Sequence, residues 1–172
     1  MITTKKEKIK VLIVDDSALA RNILSKGLGT DPGIEIVGTA ADVYIARDKI
    51  VLQKPDVITL DVEMPKMDGV EFLKRLMPQF PLPVIMVSAL TAPGARTTLE
   101  AMEYGAVDFV LKPSTSFGSG LEDMIEELRA KVKTAAGVDV SKWRNIDFRT
   151  AEKKALPKVL VGTTDKVLAI GA

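Results

Sequence analysis

Two residue types that are common in catalytic and metal sites are missing from this chain of 172 residues, which contains no cysteine and no histidine. The absence of cysteine excludes disulfides, thiolate metal sites and cysteine nucleophiles. The absence of histidine excludes a Ser-His-Asp hydrolase, a histidine zinc site and a histidine phosphodonor within the chain. Any chemistry must therefore depend on carboxylates, hydroxyls and amines.

The chain also lacks a strong charge of either sign and a long hydrophobic run. Its formal net charge is +1, which argues against a general nucleic-acid or membrane surface. The apolar run over residues 11–14 is too short for a signal-peptide core or a membrane span, so we expect a cytoplasmic protein. Apolar residues make up 47% of the sequence, enough for one domain with a substantial core.

Short apolar stretches alternate with helical patterns along most of the chain. The predicted strands cover residues 9–14, 34–40, 57–61, 84–87 and 107–111. The predicted helices cover residues 17–28, 42–54, 68–76, 93–104 and 121–132, with Asp42 and Asp68 as N-caps. Five strand–helix repeats predict an α/β fold, a doubly wound parallel sheet with helices on both faces, over residues 8–136.

The last part of the chain follows a different pattern. Residues 137–158 alternate charged and apolar residues without a clear period, so we interpret them as an interdomain linker. Residues 159–172 are again apolar and predict the first strand of a second domain. The single tryptophan, Trp143, lies in the linker, where a packing role is the favoured interpretation because an amphipathic ring on a tether needs a place to bury.

Polar side chains stand at the ends of four of the predicted strands. Because the carboxyl ends of parallel strands meet at one edge of the sheet, we expect these side chains to converge in one pocket. They are Asp15, Asp16, Asp61, Ser88 and Lys112. Clustered carboxylates need a cation, and oxygen ligands select Mg²⁺ or Mn²⁺ rather than zinc. A carboxylate can also attack phosphorus and form an aspartyl phosphate, whose charge Lys112 and Ser88 would stabilise.

Each of these residues also has a purely structural interpretation. Asp15 and Asp16 could cap the first helix, because aspartate is common before helices. Asp61 and Ser88 could be turn residues, and Lys112 could be a solvated lysine. Their joint occurrence at independently placed strand ends favours a shared site.

The segments IVDDSALAR, LDVEMPKMDG, IMVSAL and DFVLKP resemble the signature blocks of response-regulator receiver domains. The resemblance covers about residues 8–132 and implies a five-stranded sheet of order 2-1-3-4-5. It implies that Asp61 is the phosphoacceptor and that Asp16, Asp61 and the backbone carbonyl of Glu63 ligate Mg²⁺, with Asp15 acting through water. It further implies a switch formed by Ser88 and Phe109, a cis peptide before Pro113, and a histidine kinase as phosphodonor.

The segments VDDSALAR, PVIMVS and GAVDFVLKP are especially similar to the chemotaxis methylesterase regulators. These proteins join a receiver through a linker to an esterase and glutaminase domain that acts on chemoreceptors. The chain is therefore expected to be a receiver plus linker, shortened just after the start of the esterase domain. It contains neither the esterase serine nor a histidine, so the only reaction expected of it is its own phosphorylation and dephosphorylation.

Two other functions stay open at this point. A Mg²⁺-dependent phosphohydrolase with an aspartyl nucleophile, similar to the haloacid-dehalogenase-like enzymes, would use the same residue types. The order of the acidic residues disfavours it, because those enzymes place the nucleophile after the first strand. A receiver-like docking module that takes no phosphate is the third possibility, and the complete set of polar residues argues against it.

Overall fold

The computed structural model describes residues 7–89, 92–114 and 119–148, and it contains five strands and five α-helices in strict alternation. The strands are β1 (Ile9–Val14), β2 (Ile34–Ala40), β3 (Val57–Asp61), β4 (Val84–Ala89) and β5 (Asp108–Lys112). The helices are α1 (Ala18–Gly29), α2 (Val43–Gln53), α3 (Gly69–Gln79), α4 (Ala92–Glu103) and α5 (Ser119–Ala135). The second domain expected over residues 159–172 lies outside the described residues.

The five strands form one parallel sheet in the order β2-β1-β3-β4-β5. This confirms the α/β fold class and the strand order that the resemblance implied. The chain places β2 on one side of β1, and then crosses to the other side of β1 and adds β3, β4 and β5 in order. The strand order therefore reverses between β1 and β3, and open α/β sheets bind ligands beside such a reversal.

The sheet is buried on both faces because helices cover each side, so neighbouring residues of one strand enter different cores. One cluster combines strand residues with α2, α3 and α4, and its strand members include Leu12, Val14, Ile58, Leu60 and Met86. The other cluster lies against α1 and α5, and its strand members are Val11, Ile13, Ile34, Val57, Ile85 and Val110. The predicted apolar stripe of α5 packs into this second cluster through Leu121, Met124, Ile125, Leu128 and Val132.

Side-chain caps define where three of the helices begin. Ser17 accepts a hydrogen bond from the Ala20 amide at 3.1 Å and caps α1. Asp42 and Asp68 cap α2 and α3, as predicted. Because Ser17 supplies the cap of α1, the interpretation of Asp15 and Asp16 as helix caps is wrong, and both carboxylates are available for another use.

The end of α3 differs from the prediction, which stopped the helix at Leu76 because three prolines follow. The helix instead continues to Gln79 and includes Pro78. A proline in the last turn removes only one hydrogen bond, and the Phe80 amide still donates to the Leu76 carbonyl at 2.7 Å. The implied cis peptide before Pro113 is also wrong, since the described residues contain only trans peptide bonds.

The first part of the predicted linker folds back onto the domain. Residues 138–148, which we name the strap, include the short 3₁₀ helix Ser141–Trp143. Val140 and Phe148 are buried in the cluster formed with α2, α3 and α4, and Trp143 and Ile146 pack against it. The packing role favoured for Trp143 is therefore fulfilled on this domain. Within the described part of the chain, no helix combines the length and apolar character needed to cross a membrane.

Candidate functional site

The polar residues predicted to converge do meet at the carboxyl edge of the sheet. Asp15 directly follows β1, Asp61 is the last residue of β3, Ser88 is the penultimate residue of β4, and Lys112 ends β5. The parallel pairing of β1 with β3, of β3 with β4 and of β4 with β5 sets these ends side by side. An open pocket of roughly 650 Å³ lies above them, lined by residues that include Asp16, Asp61, Glu63, Asp68, Thr97 and Lys112.

Three carboxylates lie close together beneath this pocket. One oxygen from each of Asp15, Asp16 and Asp61 can be chosen so that all three lie within 4.8 Å of one another. Asp15 is only 1% exposed and Asp61 only 5% exposed, whereas Asp16 is exposed. This arrangement of two buried carboxylates and one at the surface presents a cluster of oxygen ligands that is open to solvent on one side.

The side chain of Lys112 supplies the positive charge nearest to this cluster. Its ammonium donates a hydrogen bond to Asp15 Oδ2 at 2.8 Å and lies 3.4 Å from Asp61 Oδ1. Burial disfavours the charged lysine, but the hydrogen bond to Asp15 and the charges of both carboxylates outweigh that effect and raise the pKa of Lys112. The lysine therefore stays protonated and ties β5 to the ends of β1 and β3.

One lysine does not balance three carboxylates. Burial and, after it, the nearby charge of Asp15 raise the pKa of Asp61 to about 7, against the opposing effect of Lys112. A divalent cation would neutralise the excess negative charge of the carboxylates, and an all-oxygen donor set with one open side suits Mg²⁺ or Mn²⁺. The residues present thus fit the metal that the sequence predicts.

The loop after β3 is held close to Asp61. The Glu63 amide donates to Asp61 Oδ1 at 3.3 Å, and the Gly69 amide donates to the Val62 carbonyl at 2.9 Å. A side chain at Gly69 would collide with the Asp61 carbonyl oxygen, so this position needs glycine for the turn to close. Glu63 lines the pocket, which places it beside the acidic cluster where the sequence expected a backbone ligand.

The two residues of the expected switch lie in the neighbouring strands β4 and β5. Ser88 is fully buried, and its hydroxyl donates to the Ala89 carbonyl at 3.2 Å. Phe109 is partly buried and packs against the core beneath α4. The ammonium of Lys131, on α5, lies 5.3 Å from the Phe109 ring centre and donates to its carbonyl at 2.7 Å.

Sequence reasoning missed one residue that shapes the site. Arg21, on α1, donates from one guanidinium nitrogen to the carbonyl oxygens of Asp15 at 2.8 Å and Asp16 at 3.1 Å. This side chain fixes the backbone that carries both carboxylates. The sequence gives no signal for this role, because a contact to a backbone carbonyl does not depend on the type of residue that carries the carbonyl.

Comparisons with known proteins agree with this geometry. The family model described as the response regulator receiver domain matches residues 11–134. A protein-glutamate methylesterase/protein-glutamine glutaminase of Syntrophotalea carbinolica is 58% identical over 172 residues, which is 96% of this chain and 48% of that protein. A protein of the same name from Hydrogenovibrio crunogenus is 56% identical over 156 residues, covering 89% of this chain and 41% of the relative. The chain thus spans about half the length of the curated relatives it matches.

Solved structures give the same result. The response regulator domain of Thermotoga maritima CheB superposes with a TM-score of 0.71 and 44% identity, over 77% of this chain and 99% of that one. The receiver domain of the putative response regulator NarL from Mycobacterium tuberculosis superposes with a TM-score of 0.63 and 31% identity, over 77% of this chain and 99% of that one.

Proposed function

The chain belongs to the response regulator receiver family, and from that premise we propose that it is the phosphoacceptor module of a two-component chemotaxis system, with Asp61 as the acceptor. The observation that carries the proposal is the position of Asp61. It ends a central strand, is almost fully buried, and lies between two carboxylates and the Lys112 ammonium. A histidine kinase is the proposed phosphodonor, and the cytoplasm is the proposed location.

The proposed reaction is a transfer of one phosphoryl group to a carboxylate oxygen. An oxygen of Asp61 attacks phosphorus while the bond from phosphorus to the donor imidazole breaks, and the imidazole leaves with the electron pair and takes a proton from water. The Lys112 ammonium, held within 3.4 Å of Asp61, pairs with the phosphoryl oxygens. The Ser88 hydroxyl donates to the same group after turning from the Ala89 carbonyl.

The acidic cluster would hold the metal that this transfer needs. Asp16, Asp61 and the Glu63 carbonyl are the proposed protein ligands of Mg²⁺ or Mn²⁺, with Asp15 acting through water. When bound, the ion neutralises the clustered carboxylates and offsets the charge of the transferred group. Asp61 would then stay ionised at neutral pH, where burial and Asp15 otherwise leave it partly protonated.

The proposed output is control of a C-terminal domain. The phosphoryl group adds roughly one and a half to two negative charges at neutral pH. Ser88 moves toward that charge, and Phe109 fills the space it leaves, which changes the surface formed by α4, β5 and α5. The similarity to protein-glutamate methylesterases/protein-glutamine glutaminases supports an enzyme of that kind as the controlled domain. Chemoreceptors are the proposed partners of the longer protein.

Incubation with acetyl phosphate and Mg²⁺, followed by intact mass measurement, tests the proposal. The chain should gain the mass of one phosphoryl group, and both chelation of the metal and the Asp61→Asn substitution should abolish the gain. Asp56→Asn is the matched control, because Asp56 directly precedes β3 at the opposite end of the strand. An equal gain in Asp61→Asn would contradict the assignment, and sustained turnover of a phosphomonoester would indicate a phosphohydrolase instead.

A further inference from the structure

The strap, residues 138–148, is attached to the domain by specific contacts rather than by apolar burial alone. The Asn145 amide donates to the Pro78 carbonyl at 2.9 Å, and Arg144 Nη1 donates to the Gln79 carbonyl at 3.5 Å. The last carbonyls of a helix have no partner within the helix. The strap therefore completes the carboxyl end of α3, a role that a free tether does not have.

An aromatic cluster joins the strap to the residue that follows α4. The Phe148 ring meets the Tyr104 ring edge-on, with centroids 5.0 Å apart, and lies 5.7 Å from the Trp143 ring. Such pairs stabilise a structure beyond the apolar area that they bury. The Lys74 ammonium lies 4.4 Å from the centre of the Tyr104 ring, so α3 also holds this cluster.

Gly105 makes room for the cluster. Its backbone φ is +108°, a conformation that favours glycine, and a Cβ there would lie 3.1 Å from the Trp143 ring and 3.2 Å from the Met77 methyl group. The indole thus packs directly on the backbone between α4 and β5. The position of Trp143 is set by the shape of that turn.

One helix reaches from the candidate site to this cluster. Thr97, on α4, lines the pocket above Asp61, and Tyr104 follows the last residue of the same helix. The 12 residues of α4 span about 18 Å at the usual rise of an α-helix. A displacement of α4 at the pocket must therefore move Tyr104 or break its contact with Phe148.

We propose that the strap senses the state of the Asp61 pocket through α4 and passes it to the chain beyond residue 148, the part that leads to a C-terminal domain in longer relatives. This inference rests on the proposed function. A phosphoryl group brings charge and volume to the wall of the pocket formed by Thr97 and Ala89. The shift of α4 then changes the packing of Tyr104 on Phe148, and Trp143 follows because its ring packs on Phe148 and Gly105.

The fluorescence of Trp143 reports this coupling directly, because Trp143 is the only tryptophan in the sequence. Beryllofluoride with Mg²⁺ serves as a stable mimic of the phosphoryl group. Adding it to the full chain should shift the emission of Trp143 and change its acrylamide quenching constant, as expected for a ligand that shifts the population of two states. The Asp61→Asn variant should have the same resting emission and no response.

Variants of the aromatic cluster distinguish a coupling between the Asp61 pocket and Trp143 from burial of Trp143 alone. Phe148→Ala, or Phe148→Leu if the alanine variant does not fold, should still gain the phosphoryl mass from acetyl phosphate but lose the Trp143 response. Phe80→Ala is the matched control, since Phe80 is half-exposed and lines a groove between α2 and α3, and it should respond like the unmodified chain.

A failure of the proposed coupling can be distinguished from a failure of the proposed function. If the unmodified chain gains the phosphoryl mass but Trp143 emission and quenching stay constant with the mimic, the strap is a static clamp and the inference is wrong. The same conclusion follows if Phe148→Leu responds like the unmodified chain. If no phosphoryl mass is gained at all, the proposed function itself fails, and the coupling fails with it.

Discussion

Asp61 illustrates how a functional residue can oppose the stability of the fold that carries it. The carboxylate is buried at the end of a central strand and lies beside Asp15, and burial followed by the charge of Asp15 raises its pKa to about 7. Buried charge without full compensation destabilises a folded protein. The site therefore holds an unfavourable negative charge, which would favour binding of a cation or transfer of a phosphoryl group to Asp61.

This conflict predicts that Asp61→Asn stabilises the metal-free chain at neutral pH. The folded pKa of Asp61 lies above the unfolded one, so the destabilisation is present above pH 7 and disappears as the pH falls toward 4. In chelator, we expect the unmodified chain to gain about 1–2 kcal/mol of unfolding free energy between pH 8 and pH 5, a value reduced for water entering the open pocket.

Urea unfolding measured across this pH range checks the prediction. Asp61→Asn should be the more stable protein at pH 8, and its advantage should vanish at low pH. Asp56→Asn should show no such crossover. A variant that is less stable than the unmodified chain at pH 8 would show that Lys112 already compensates the charge of Asp61.

At the scale of single residues, the acidic residues and Lys112 were identified because polar side chains at the ends of parallel strands are expected to converge. That expectation needs only the strand boundaries. It could not reveal that Arg21 bonds to the carbonyls of Asp15 and Asp16, since a contact to a backbone carbonyl leaves no pattern in the sequence. Nor could it show that the Ser88 hydroxyl is turned toward the Ala89 carbonyl, because the orientation of a hydroxyl depends on the folded loop.

The start of α1 is the element that holds the acidic pair in place. Ser17 caps the helix, and the Ser17 amide donates to Asp15 Oδ1 at 2.8 Å. Arg21, one turn later, binds the carbonyls of Asp15 and Asp16. The start of the helix thus holds the backbone that carries both carboxylates.

We therefore expect Arg21→Met to weaken metal binding, because methionine keeps an unbranched, flexible side chain but donates no hydrogen bond. Outer-shell partners of metal ligands typically alter affinity by tenfold or more, so the loss for Mn²⁺ should be roughly tenfold. Titration calorimetry with Mn²⁺ measures it, with Arg47→Met on the exposed side of α2 as the control. Equal affinity in both variants would mean that the loop needs no support from Arg21.

The elements themselves were predictable where the signal was local. Alternating strand and helix patterns, the Asp42 and Asp68 caps and the stripe of α5 are properties of neighbouring residues, and the structure confirms them. The end of α3 was not predictable, because Asn145, 66 positions after the last residue of the helix (145 − 79), supplies the amide that donates to the Pro78 carbonyl. A helix end completed from a distant segment leaves no local signature.

The folded domain extends beyond the five strand–helix repeats and includes the strap. Val140 and Phe148 are each only 8% exposed, and the strap carries the aromatic cluster on Tyr104. The absence of periodicity suggested a linker because the strap is neither helix nor strand over most of its length. Its docking depends on Gly105 and α3, which the pattern of residues 137–158 does not reveal.

Removal of all residues after Ala136 should therefore lower the unfolding free energy of the chain. Because the apolar surfaces under Val140, Trp143 and Phe148 become exposed, we expect the unfolding free energy to fall by about 2–4 kcal/mol and the Tm to be lower. The full-length double variant Trp143→Ala/Phe148→Ala should reproduce most of that loss, as measured by urea unfolding. If the shortened chain is as stable as the full chain, the strap contributes no stability to the domain.

The central claim, that Asp61 accepts a phosphoryl group, is tested most directly by trapping the acyl phosphate. After incubation with acetyl phosphate and Mg²⁺, borohydride reduces an aspartyl phosphate to homoserine, and tandem mass spectrometry of peptides locates that residue. Homoserine at position 61, and at no other aspartate, is the result expected. Homoserine at another aspartate, or a phosphate that resists borohydride on a serine or threonine hydroxyl, would contradict the account.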